Sequence, residues 1–364
     1  MKRRSLLILL ILLVVVIAMF KVFKYKINKD LAQPVYTPTK SAPAIPSPVV
    51  QKNSTSFSLF VPYWVLTDER IEEERYDQII YFGVAPDGGS VSLNQQDESQ
   101  LDNFNEVVPS GAEKLLALRM TDNEESFAIL RDVSRQQKII QETIKIAQEN
   151  NMQGIVLDLE ISAIPFDSLV KQINSFTKIF YTTVRKNNLT FALTLYGDAL
   201  YRARPYDVKT LSKNADILML MAYDFSKAKG NPGPNFPLNG RERFGYDFTE
   251  MTDDFLRFIP TEKIMVIFGV FGYDLVVDEK GNAVKPGQAL TLLQIKQKFI
   301  DKCEFSNCEW RRDKDSAETI VNYVDFEGKR HIVWFEDMES IGQKQAFLKD
   351  KGINSFSYWA YLYF

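Results

Sequence analysis

From residue 58 onward the sequence repeats one rhythm: a short apolar run, then a stretch whose apolar residues recur every three or four positions. The runs fall at 59–64, 78–82, 114–118, 154–159, 190–195, 216–221, 263–268 and 355–359. Runs this short fit buried strands better than helices. Between them, 134–150 brings Ile139, Ile140, Ile144, Ile146 and Ala147 to one helical face, and 166–186 does the same with Leu169, Ile173, Phe176 and Phe180. Strand–helix units repeated in this way predict an α/β fold with parallel strands. No glycine-rich dinucleotide or phosphate loop follows any run, which favours a (β/α)8 TIM barrel over an open sheet.

The fourth run ends unlike the others. In Gln153-Gly154-Ile155-Val156-Leu157-Asp158-Leu159-Glu160 two acids stand two positions apart. Side chains at i and i+2 of a strand share a face, so Asp158 and Glu160 project together while Leu157 and Leu159 point the other way. Burying charge without a partner is costly, so acids at this point imply chemistry at the open tip of the strand; a helix cap or surface ion pair is the ordinary alternative. In barrels of this kind the working residues sit at the carboxyl ends of strands. The sixth run continues there into Met221-Ala222-Tyr223-Asp224, and the eighth ends in Trp359. Singly, Trp359 reads as core and Tyr223-Asp224 as a turn. Together at one end of a barrel, they offer an indole platform for a sugar ring and polar groups for its substituents.

Composition narrows the chemistry. The 364 residues are 45% hydrophobic and 13% aromatic, enough for a large core. One histidine, His331, and two cysteines supply no full set of zinc ligands and give little basis for a histidine-dependent triad, so carboxylate chemistry without metal or cofactor is expected. The net charge of −3 hides a basic N-terminus: residues 1–57 carry nine Lys/Arg against Asp30, leaving −11 on residues 58–364. An acidic body argues against a nucleic-acid partner. Lys2-Arg3-Arg4, the apolar run 6–20 and Lys21, Lys24 and Lys26 read as a membrane-addressing segment over 1–26. No small-x-small cleavage pattern follows, so an uncleaved transmembrane signal anchor is expected rather than a cleaved signal that would release the protein. Residues 27–57, with Pro34, Pro38, Pro43, Pro46 and Pro48, form a semi-extended linker to a body at 58–364, placed outside the cytoplasm and expected to act as a monomer. In that compartment Cys303 and Cys308 either pair across a short loop or stay free.

These residues resemble the signature of glycoside hydrolase family 18, the chitinase-like barrels. The family's strand-four pattern is Asp-Gly-x-Asp-x-Asp-x-Glu; Gly154, Asp158 and Glu160 match it, while Gln153 and Val156 replace its first two acids. Met221-Ala222-Tyr223-Asp224 is similar to the family's Met-x-Tyr-Asp, Trp359 to the tryptophan flooring subsite −1, and Tyr63-Trp64 to its opening strand. Val333 through Lys344 resembles the segment before its last helix, especially in the bacterial spore-germination and cell-wall branch. Residues 274–330 resemble a reduced form of its insertion, with a hairpin around Phe326-Glu327-Gly328-Lys329, and 230–238 its strand-six loop, which either lines the groove or is a rigid surface loop. The resemblance implies a glycosidase acting on β-linked N-acetylglucosamine polymers, chitin-like glycan or peptidoglycan, by a substrate-assisted retaining mechanism. Glu160 would be the acid and base, Asp158 the orienter of the acetamido group, and Tyr223 and Asp224 its polar partners. Trp359, Tyr63 and Met221 would bind substrate. With Val156 in place of an acid, either activity is slowed or shifted in pH, or another group such as Tyr63 holds Asp158. A non-catalytic, lectin-like barrel is the alternative; such relatives commonly lose the terminal glutamate that this chain keeps.

Overall fold

The computed structural model of the protein describes residues 54–364 except 68, 73 and 74. Among them, all eight apolar runs are strands: β1 (Ser56–Pro62), β2 (Gln78–Val84), β3 (Glu113–Met120), β4 (Gly154–Leu159), β5 (Thr190–Tyr196), β6 (Ile217–Ala222), β7 (Ile264–Gly269) and, last in the chain, β13 (Ser355–Trp359). Each pairs in parallel with its neighbour, and β13 pairs with both β7 and β1, which closes the barrel. The first strand is shorter at its end than its apolar pattern. Pro62 has no N–H to continue a ladder, and Tyr63–Val65 turn away as a 3-10 helix.

The period of two decides which residues fill the barrel. Phe60, Ile80, Leu115, Ala117, Val156, Ala192 and Met219 meet inside it, while Leu59, Ile79, Leu116, Leu157 and Leu193 face the surrounding helices. The two helices read from periodicity are Val133–Glu149 and Asp167–Lys186. Asp132 caps the first by accepting from the N–H groups of Ser134 and Arg135. The second buries Leu169, Ile173, Phe176 and Phe180 against the barrel.

Between the seventh and eighth barrel strands the chain forms β8 (Phe271–Val277), β9 (Gln288–Thr291), β10 (Ser306–Arg312), β11 (Thr319–Val324) and β12 (Arg330–Phe335). These make one antiparallel sheet in the order β10-β11-β12-β8-β9. The hairpin of β11 and β12 turns through Asp325 to Lys329, with Gly328 at φ 79°, a backbone region glycine enters without steric cost. Cys303 and Cys308 are joined as a disulfide.

The sheet is tied to the barrel by a buried charge cluster. Lys344, on the helix Met338–Asp350, is fully buried and donates to both Glu318, 3.0 Å away, and Glu336. Glu318 also accepts from the backbone N–H groups of Asn235 at 2.6 Å and Phe236 at 2.8 Å. Ser340 donates to Glu336. The segment expected to address the membrane, 1–26, lies outside the described residues; no helix among those described is long and apolar enough to cross a membrane.

Removing one partner of a buried pair leaves uncompensated charge, at a cost of about 3–5 kcal/mol. Lys344→Met, which strands two glutamates, is therefore predicted to lose stability of that order in urea unfolding. A loss under about 1 kcal/mol would show that the cluster does not hold the insertion in place.

Candidate active site

The carboxyl ends of the barrel strands surround a cavity of about 370 Å³ lined by Asp158, Glu160, Met221, Tyr223, Asp224 and Trp359 among others. Six residues chosen from the sequence thus meet in one place. Tyr63 does not line this cavity; it packs at the rim, its ring 5.0 Å from that of Trp64. Tyr63 is not the holder of Asp158 either. That partner is Thr194, whose hydroxyl donates to Asp158 Oδ1 at 2.6 Å. One residue pair further along the two strands, Tyr196 donates to Glu160 Oε2 at 2.7 Å. Asp158 on β4 and Glu160, just past its end, therefore face Thr194 and Tyr196 on β5, because both segments carry the same i, i+2 spacing.

The backbone around Glu160 is fixed from three sides. Its N–H donates to Met120 O at 3.0 Å, and the buried Tyr206 hydroxyl donates to Leu159 O while accepting from the N–H of Ile161, each at 2.7 Å. Asp158 is 2% exposed, and its Oδ2 is buried without a partner. Burial and the neighbouring Glu160 charge push its carboxyl up to about 8, against the pull of Thr194 and Arg119. Burial also raises Glu160, opposed by the Tyr196 hydrogen bond and reinforced by Asp224. Two carboxyls this close in a low-dielectric site titrate as a pair and hold a proton near neutrality.

Tyr223 and Asp224 enter from β6. Gly269, at the end of β7, makes room for Tyr223: a Cβ there would lie 2.6 Å from the tyrosine Cβ. Among the described residues the Tyr223 hydroxyl has no hydrogen-bond partner, and its acidity is suppressed by burial and by the acids around it. Asp224 has φ 57°, a left-handed conformation that costs a non-glycine residue roughly 1–2 kcal/mol. Asn235 holds it there, accepting from the Asp224 N–H at 2.7 Å while donating to Gly269 O at 2.9 Å. The Tyr273 hydroxyl then donates to Asp224 Oδ1 at 2.6 Å. No residue of the loop 230–238, read as groove-lining or as a rigid surface loop, lines the cavity: Gly230 and Asn231 are exposed, while Asn235 and Phe236 are buried behind the site. Trp359 lies against Phe82, 4.7 Å between ring centroids, and beside Tyr223 at 6.5 Å. Val156 is buried inside the barrel below Asp158. Among the described residues no cluster of three or more His, Cys, Asp or Glu is placed to hold a metal ion.

Comparison with known proteins gives a consistent picture. The model of glycosyl hydrolases family 18 matches residues 59–363. A cortical fragment-lytic enzyme of Bacillus anthracis is 27% identical over 239 residues, which are 64% of this chain and 51% of that protein. The chain therefore spans about half the length of that curated relative. The crystal structure of the Bacillus cereus spore cortex-lytic enzyme SleL superposes with a TM-score of 0.64 at 21% identity, covering 84% of this chain and 71% of that one. A class V chitinase from Nicotiana tobaccum gives 0.74 at 13% identity, covering 84% and 94%. At these identities the structural matches speak for the fold alone.

The Asp158 carboxyl, ordinarily at 3.8, is held protonated to about 8 in the folded protein. Folding thus takes up a proton between those values, and stability is lost as pH rises through them. Asp158→Asn does not ionise and avoids that loss. Its Tm relative to wild type should increase steadily across this window in thermal unfolding; a difference independent of pH would refute the raised carboxyl.

Proposed function

The chain belongs to glycosyl hydrolases family 18, and from that premise we propose that it is a retaining glycosidase for β-linked N-acetylglucosamine polymers, with the substrate's acetamido group as nucleophile. One observation carries this reading. Asp158 spends Oδ1 on Thr194 and leaves Oδ2 unpaired, beside a cavity where the Tyr223 hydroxyl is also without a partner. An amide supplies what both groups lack: a carbonyl oxygen for the Tyr223 hydroxyl, and an N–H for Asp158 Oδ2 when the proton shared by the Asp158–Glu160 pair sits on Glu160; left alone, the buried Oδ2 costs about 1–3 kcal/mol.

With the acetamide held in this way, its oxygen attacks the sugar's own anomeric carbon and forms an oxazolinium intermediate, so the enzyme needs no nucleophile of its own. Glu160 gives its proton to the leaving oxygen and then takes one from the incoming water. The raised proton affinity of Glu160 suits a group that acts first as a donor. Asp158 steadies the positive charge that develops on the acetamide, Asp224 hydrogen-bonds the distorted sugar, and Trp359 supports its apolar face, with Met221 beside it and Tyr63 at the rim. Residues 1–26 serve as a membrane anchor and 27–57 as a spacer, which places the barrel against envelope glycan on the outer side of the membrane. The cortex-lytic relatives favour peptidoglycan over chitin among the candidate polymers.

Glu160→Gln is predicted to lower hydrolysis of an N-acetylglucosamine oligomer at least about 10²-fold with binding preserved. If wild type and variant were equally inert and both bound the glycan, the lectin-like reading would replace this one. Tyr196→Phe removes a hydrogen bond that favours the charged form of Glu160, so the alkaline limb of the pH–rate profile should move to higher pH. No movement, or movement to lower pH, would mean that Glu160 is not the proton donor.

A further inference from the structure

Arg119 continues the inward face of β3 beyond Leu115 and Ala117 and lines the cavity. Its guanidinium stands 5.0 Å from the ring centroid of Phe82, 5.4 Å from Tyr63 and 5.7 Å from Trp64. Among the described residues it forms no ion pair and no hydrogen bond, and its Nε is buried without a partner. This is an unusual state for a half-buried cation. A guanidinium keeps its charge throughout the physiological range, and charges withdrawn from water are normally matched by acceptors. The three rings supply attraction and fix the plane, but they accept no N–H bond of normal strength. Asp158, its neighbour across β3 and β4, feels the Arg119 charge and keeps Oδ2 without a partner, but no hydrogen bond joins the two; Glu160 and Asp224 bond to Tyr196 and Tyr273. Among the described residues no acceptor takes up its N–H groups, so the guanidinium keeps donors for a ligand in the cavity.

A carboxylate fits such a fork with two parallel hydrogen bonds, and neutral sugar hydroxyls do not. We propose that Arg119 is a specificity-determining residue that binds a carboxylate on a substituent of the glycan, so that the preferred polymer is an acidic N-acetylhexosamine chain rather than a neutral one. The proposal rests on the glycosidase reading above for the location of the substrate. The carboxylate has two chemical sources, an acid ether-linked to the sugar itself or the end of a peptide attached to it.

The experiment uses glycan strands of alternating N-acetylglucosamine and N-acetylmuramic acid in three forms: with stem peptides removed so that the lactyl carboxylate is free, the same strands methyl-esterified, and strands with peptides intact. Wild type should favour the free-acid over the esterified strands by at least about tenfold in kcat/KM, mainly through KM. Arg119→Met should abolish that ratio, and Arg119→Lys should restore part of it. A preference for intact strands, lost in Arg119→Met, would instead place the carboxylate on the peptide. A wild type that prefers neither free-acid nor intact strands, or a loss in Arg119→Met that is equal for all three forms, would overturn the proposal and assign Arg119 to Asp158 as a counter-charge. Equilibrium binding of the free and esterified strands gives the same ratio without turnover. Binding selectivity without hydrolysis would therefore sink the glycosidase reading and leave the role of Arg119 standing.

Discussion

The buried Lys344 ammonium is the point through which the parts of this structure reach one another. It lies on the last helix and joins Glu336, at the exit of the inserted sheet, to Glu318, at the entrance of its central hairpin. Glu318 passes the constraint on to the backbone of Asn235 and Phe236, and Asn235 passes it to Asp224 and Gly269. A hydrophobic contact would bury these elements as well, but it would not fix their register. The directional demand of three buried charges does, because each misplacement leaves a charge unpaired in a medium of low dielectric. The left-handed backbone of Asp224 persists at the end of that chain of constraints.

Within the site a second principle operates, a division of labour among carboxyl groups by environment. Asp158 is the most deeply buried, and burial beside Glu160 raises its proton affinity. Glu160 is opened to the cavity and tempered by Tyr196, and Asp224 is tethered by Tyr273. Where the family pattern carries an acid, Val156 closes the barrel floor with methyl groups. The polar support of Asp158 comes sideways from Thr194 instead of from below. Arg119 stands on β3, beside these acids and among aromatic rings, and makes the rim of the cavity chemically two-sided.

Much of this was legible from residue order. The eight strands, the two long helices and the gathering of Asp158, Glu160, Met221, Tyr223, Asp224 and Trp359 follow from periods of two and 3.6 and from the rule that barrels work at strand ends. The same period of two contained Thr194, Tyr196 and Arg119. Thr194 sat within a run read as apolar, while Tyr196 and Arg119 lay one residue past the point where the apolar pattern stops. Strands of a barrel extend past their apolar stretch when the residues at the mouth are functional, so a reading keyed to hydrophobicity stops short of the site. Tyr206, Asn235 and Glu318 left no such signal, since each acts from a loop or strand end outside the periodic segments.

Residue order alone is enough for the barrel, the face on which each strand residue lies, and the set of acids and aromatics at its mouth, because alternation and helical spacing are local properties of the chain. Which group holds which follows from the folded arrangement instead. Thr194 rather than Tyr63 supports Asp158, Asn235 sets the backbone of Asp224, the 230–238 loop backs the site rather than lining it, and Arg119 is left with its donors open. Those outcomes depend on strand register and loop closure across separations of up to 83 residues, as between Asn235 and Glu318. No local pattern encodes such distances; they are set when buried charges and hydrogen bonds must all find partners at once.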